Sequence, residues 1–239
     1  TRESPNVSPW NPFQFEIPDT ALVATTSIIR NSLFFNRTNP KYSLELGQSD
    51  TRNRVVLTTG YESRATMEQY LKGRWNISKA ISWQLEFNKG VRENDSEFFN
   101  NKDYSIHYIK IAPKITWQPS KTFRTILTYE FSNSENTLIE EGERSQNHDI
   151  NIEMTYNRTA TTSIRSKFSL VKVDFLGEAN SPVGFAMLQG LQNGQNFLWN
   201  LALDRKIAKN IQLSLSYEGR KTGQASIVHV GRATVRALF

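Results

Sequence analysis

Apolar and polar residues alternate with a period of two along most of the chain, the spacing of a strand whose two faces meet different surroundings. Over positions 210–221, Ile211, Leu213, Leu215 and Tyr217 share one face, and Gln212, Ser214, Ser216 and Glu218 the other. The same rule sets Ile150, Ile152, Met154 and Tyr156 against Asn151, Glu153 and Thr155, and Ile81, Trp83, Leu85 and Phe87 against Ser82, Gln84 and Glu86. Further runs lie near 22–36, 41–57, 64–77, 104–118, 123–132, 162–176, 195–207 and 225–239. With a short run at 13–17, the expected total is about twelve strands. Pro113 falls inside one of them, where it has no N–H to give the ladder, so a bulge is expected there.

Connections alternate in length. Short ones fall at 38–40, 78–80, 118–122, 158–161 and 208–209, and longer polar ones at 92–103, 133–147 and 177–194. Tight turns therefore gather at one end of the meander and loops at the other, as in a transmembrane barrel with periplasmic turns and extracellular loops. No helix-period segment interrupts the meander. Residues 1–12, with three prolines, read as a linker, and 13–239 as one domain.

The polar face decides the fold class. It is charged along most strands, and charges cannot line a dry core, so it is expected to point into a wet lumen while the apolar face meets lipid. The lumen residues are then Arg74, Glu86, Lys114, Arg124, Glu153, Arg165, Lys167, Asp204, Glu218, Arg232 and Arg236, of mixed sign. Phe35, Tyr42, Trp75, Trp83, Trp117, Phe123 and Tyr156 fall on the apolar face near the short turns, where a periplasmic aromatic girdle belongs. The reading is an all-β transmembrane antiparallel up-and-down β-barrel. The alternative is a soluble sandwich in which the aromatics are core and the charges face water.

Composition narrows the function. The 239 residues are only 38% hydrophobic, and no run approaches the roughly eighteen apolar residues of a spanning helix. Cysteine is absent, which removes disulfides, zinc–cysteine sites and thiol catalysis. The net charge of +6 comes from scattered basic residues, so no nucleic-acid partner is expected. The chain starts at Thr1 without a signal peptide and reads as a mature product or the C-terminal piece of something longer.

At the C-terminus Ala233, Val235, Ala237 and Phe239 alternate with Arg232, Thr234 and Arg236, and the chain ends on an aromatic residue. This resembles the β-signal of Gram-negative outer-membrane proteins, which implies an outer-membrane location and recognition by the barrel assembly machinery during biogenesis. From about residue 20 onward the chain also resembles the C-terminal barrel region of large uncharacterised Bacteroidota outer-membrane proteins. That resemblance rests on Gly60-Tyr-Glu-Ser-Arg64, Arg74-Trp-Asn-Ile77, Asn94-Asp-Ser-Glu-Phe-Phe99 and the final strand. It implies location and fold, with further domains upstream.

Candidate chemistry is sparse. His107, His148 and His229 are the available imidazoles, and no Gly-x-Ser-x-Gly turn holds a nucleophile. A lipid-hydrolysing site on the outer wall would use His107 and His229, but polar residues at headgroup level account for both. Glu140, Glu141 and Glu143 lack EF-hand spacing. No catalytic, cofactor or metal site is therefore expected. Asp19-Thr20-Ala21 resembles a Bacteroidota O-glycosylation acceptor, which makes Thr20 a candidate site.

Three roles remain: an anchor or accessory component of a larger envelope complex, a porin-like channel for small polar solutes, or an outer-membrane lipid-modifying enzyme. Opposite charges are expected to pair across a narrow lumen, which favours the anchor. Outer-membrane lipids and lipopolysaccharide are the expected surroundings. The loop 177–194 is unusually apolar, and Phe185, Met187, Leu188 and Leu191 are expected either to dock on a protein partner, as preferred, or to fold into the barrel mouth.

Overall fold

A computed structural model describes residues 24–58, 60–139, 142–158 and 161–237. They form one meander of eleven strands: β1 (Ala24–Phe35), β2 (Tyr42–Leu57), β3 (Gly60–Asn76), β4 (Ile81–Ser96), β5 (Tyr104–Trp117), β6 (Phe123–Asn136), β7 (Arg144–Arg158), β8 (Thr162–Leu176), β9 (Gly194–Ala208), β10 (Ile211–Thr222) and β11 (Val228–Ala237). Each strand pairs antiparallel with its neighbours in the chain, giving one sheet ordered β1 to β11. The run at 13–17 lies outside the described residues. One α-helix, α1 (Pro182–Leu188), stands in the connection between β8 and β9, and a short 3-10 turn (Asn100–Lys102) in that between β4 and β5.

Alternation makes these segments strands, because β-branched and aromatic side chains pack along one pleated face while polar ones occupy the other. The register carries that division unbroken across the sheet. Leu33, Leu46, Leu71, Phe87, Ile111 and Phe131 face one another in successive pairs, and one residue away so do Ser32, Gly47, Tyr70, Asn88, Lys110 and Ser132. We call the first face outer and the second inner, because α1 lies on the second.

Several strands run beyond the point where alternation stops. β4 continues to Ser96, β6 to Asn136, and β7 begins at Arg144, so the three longer loops shrink to 97–103, 137–143 and 177–193. In these extensions the outer face also turns polar, with Lys89, Glu93, Asp95, Asn133, Glu135, Arg144 and Gln146. Both faces are wet there, and the two-residue signal vanishes although the ladder continues. At the same end β2 and β3 are joined by residues 58 and 59 alone, so the difference between the two ends is smaller than the spacing suggests.

Pro113 produces no bulge. Pairing with β6 breaks off after Ile111–Phe131 and resumes at Lys114–Thr128 in unchanged register, while Pro113 still pairs with Leu85 on β4. Its missing donor therefore costs rungs on one side only. The register irregularity in the sheet lies instead at Ile211 and Gln212, between β9 and β10.

The small core sits at the loop end of the inner face. Val183 and Met187 of α1 pack on Ile106 of β5, while Leu188 packs on Val171 and Val173 of β8. Ser181 caps the helix by accepting from the Gly184 N–H at 2.9 Å, and Pro182 opens it. Gln189, in the left-handed region at φ 52, ends it.

Candidate functional site: the inner face and its mouth

Every charge expected in the lumen shares the inner face: Arg74, Glu86, Lys114, Arg124, Glu153, Arg165, Lys167, Asp204, Glu218, Arg232 and Arg236. They do not pair in the way expected. The ion pairs join neighbouring strands, Lys72–Glu86 at 3.7 Å, Lys110–Glu130 at 2.8 Å, Lys167–Glu153 at 3.2 Å and Arg165–Asp204 at 3.0 Å, or lie within one strand, Arg64–Glu62 at 2.6 Å, instead of crossing a bore. Adjacent strands lie only about 4.8 Å apart, so a long side chain meets its neighbour before it can span an opening. Asn200 donates to Glu218 at 2.9 Å and Ser214 to Asp204 at 2.7 Å.

The inner face changes character along its height. Near the short turns stand Arg74, Lys114, Arg124, Lys206, Arg232 and Arg236, none in an ion pair among the described residues. Arg74 donates to Ser43 Oγ and to the Asn39 carbonyl. The Arg165–Asp204 pair also lies near the turns, with Asp204 between Arg232 and Arg236 in register. The middle level holds the Lys72–Glu86, Lys110–Glu130 and Lys167–Glu153 pairs and two tyrosines laid over glycines. Tyr70 covers Gly47 and donates to Glu45 at 2.9 Å, and Tyr108 covers Gly90 and donates to Glu68 at 2.7 Å. A Cβ at either glycine would overlap the ring above it.

The loop end is stitched by carboxamides. Asn94 donates to the Lys102 carbonyl. Asn136 accepts from the N–H groups of Ser105 and Leu138 and donates to Glu143. Asn196, fully buried, donates to the carbonyls of Val171, Gln192 and Gly194 and accepts from the Gln192 N–H. Asn94 entered the sequence reading only as part of a resemblance motif, and Asn136 and Asn196 went unremarked; the hint available was a short carboxamide beside each long connection.

Below the end of α1 is a cavity of about 650 Å³ between the strands and the following loop. Lys167, Asn200, Glu218 and Arg220 line it together with Gln189 and Leu191. Asp149 Oδ1 and Asn151 Oδ1, also at this cavity, are buried without a hydrogen-bond partner. Such orphaned acceptors suit a donor from water or a polar solute.

The apolar loop is arranged differently from the preferred expectation. Met187 and Leu188 are buried against the chain's own strands and Leu191 packs beside Leu188, so these three do not form an outward docking surface. The inner face at this level is itself apolar, with Ile106, Val171 and Val173, which gives the helix a dry surface close at hand. Phe185 alone of the four is exposed, at 72%.

On the outer face, the register gathers the seven aromatics expected in a girdle near the turns, with Trp117 and Phe123 edge to face at 5.7 Å. Ala233, Val235 and Ala237 of β11 share this face, while Phe239 and Thr20 lie outside the described residues. His107 and His229 point outward, as does His148. His148 bonds Tyr129 at 2.8 Å and His229 bonds Tyr217 at 2.9 Å, and neither meets a serine nucleophile. Among the described residues no three His, Asp or Glu side chains gather as metal ligands. Glu143 is held by Asn136, and Glu140 and Glu141 lie outside the described residues.

No family model and no curated protein matches the sequence. Solved structures resemble it in fold at low identity. The translocator domain of the autotransporter NalP from Neisseria meningitidis is 9% identical, with a TM-score of 0.39 over 90% of this chain and 81% of that one. The NanC porin is 11% identical, with a TM-score of 0.35 over 89% and 99%. LpxR from Salmonella typhimurium is 7% identical, with a TM-score of 0.32 over 89% and 88%. All three are outer-membrane β-barrels.

Proposed function

We propose that the chain is an outer-membrane β-barrel that acts as a closed anchor or accessory component of a larger envelope complex, with no enzymatic role. The observation that carries this reading is α1, which lies on the polar inner face of a sheet whose opposite face is an apolar belt. On β5 the belt runs outward through Trp117, Ile115, Pro113, Ile111 and Ile109 before His107 and Ser105 end it. Those five outward positions span about 26 Å along the strand, or about 20 Å of height at a tilt of about 40°, which covers most of the roughly 25 Å apolar band of such barrels. With charges held between neighbours, a helix at the mouth is the element able to close the bore. Phe185 remains at the loop end for a protein partner. The resemblance to Bacteroidota barrel regions, and the role of the strand ending at Phe239 in recognition by the assembly machinery, belong to the same proposal.

Conductance in a planar bilayer tests the closed state. The intact chain is expected to insert, migrate as a heat-modifiable band and conduct little, and removal of residues 183–192 is expected to open it. The second reading, a channel for small polar solutes, is favoured by the 650 Å³ cavity beneath the helix. Steady conductance by the intact chain would select it and sink the closed anchor.

A further inference from the structure

The outer face divides its charges by height. Among the described residues its acids, Asp50, Glu93, Asp95, Glu135 and Asp174, all stand toward the loops and none toward the turns. At the turn end the same face carries two arginines on one rung. Arg158 of β7 pairs in register with Thr162 of β8, and Thr162 with Arg205 of β9, so the two cations flank a single threonine. Both arginines are exposed and form no ion pair among the described residues.

Two strand spacings set these cations roughly 10 Å apart, about one Debye length, so they repel and a shared anion relieves both. The next outer rung toward the belt is Tyr156, Ile164 and Leu203, and the one beyond it Met154, Ser166 and Leu201. A basic pair therefore borders a mostly apolar wall at the level of the aromatic girdle, to which Tyr156 belongs. Phosphate suits the pair, because a guanidinium group meets phosphate oxygens with parallel N–H donors and Thr162 offers a hydroxyl between them. An acyl chain suits the wall.

We propose that Arg158, Thr162 and Arg205 seat the phosphate of one anionic phospholipid of the periplasmic leaflet, with an acyl chain lying against Tyr156, Ile164 and Leu203. Short turns mark the periplasmic end of a barrel, and the leaflet on that side is phospholipid. The apolar wall selects a lipid over free phosphate. The doubled positive charge selects an anionic lipid over a zwitterionic one, which brings its own cation. The site rests on the membrane reading above and adds a ligand to it.

Reconstitution into nanodiscs of equal phosphatidylglycerol and phosphatidylcholine, followed by native mass spectrometry of the released barrel, measures which lipid stays bound. The intact chain is expected to retain phosphatidylglycerol preferentially, and Arg158→Gln with Arg205→Gln to reduce that preference about fivefold. Arg124→Gln with Arg236→Gln removes the same charge from the inner face at the same end and is expected to leave the preference unchanged. No preference in the intact chain would overturn the site and give the arginines to an acidic protein segment instead. Equal loss in the two double variants would overturn it as well, since the field of the whole end would then suffice. Failure of the intact chain to insert would overturn the membrane reading and the site together.

Discussion

The two ends of the inner face are built on opposite principles. The loop end is closed: asparagines hold the loops by main-chain hydrogen bonds, Arg64 pairs with Glu62, and α1 sits on Ile106, Val171 and Val173. Among the described residues the turn end is basic and carries no comparable cover, with six cations that form no ion pair and one acid, Asp204, held by Arg165. Apolar contact and satisfied carboxamides fix a shape, whereas like charges in water keep their side chains apart and solvated. One end is therefore set by packing and the other by its field.

The largest effect expected from breaking this contrast is at Val173, 1% exposed beneath Leu188. Val173→Asp places an unpaired charge there and should cost about 3–5 kcal/mol in urea unfolding, with α1 becoming open to protease. Wild-type stability in that variant would mean the helix contributes nothing to closure. Next comes the outer belt. Ile152→Arg should destabilise the barrel by about 2–4 kcal/mol if the side chain faces lipid, while Asn151→Arg on the inner face should be mild. Equal penalties would remove the distinction between the faces. The smallest change in stability belongs to the turn end, where Arg124→Gln with Arg236→Gln should stay within about 0.5 kcal/mol. In the chain lacking 183–192, however, the pair should shift the reversal potential away from anions; an unchanged selectivity would show that the basic end does not set the field.

How far the sequence revealed all this depended on contrast between the faces. Within the belt, where lipid-type and water-type surroundings alternate, Ile81 to Phe87 and Ile150 to Tyr156 disclosed both strand and facing. Beyond it, Lys89 to Ser96 and Arg144 to Asn147 have polar neighbours on both sides, so their strand character could not be read. The membership of Glu153, Arg165 and Asp204 on one face was legible by parity, but their choice of partner was not, because register between strands fixes it. The place of α1 was equally hidden: the spacing of Leu188 and Leu191 announces an apolar face without saying which surface it will meet.

The gap at Pro113 has a consequence in time. The β5–β6 seam lacks pairing opposite Ala112 and Pro113, while Lys110 and Glu130 form an ion pair across the same seam at 2.8 Å. A ladder opens most readily where rungs are missing, so amide protons flanking this gap should be among the first of the central strands to exchange. The ion pair then acts as a latch on the slowest motions of the sheet: its loss should leave the average fold in place and quicken the opening of this one seam.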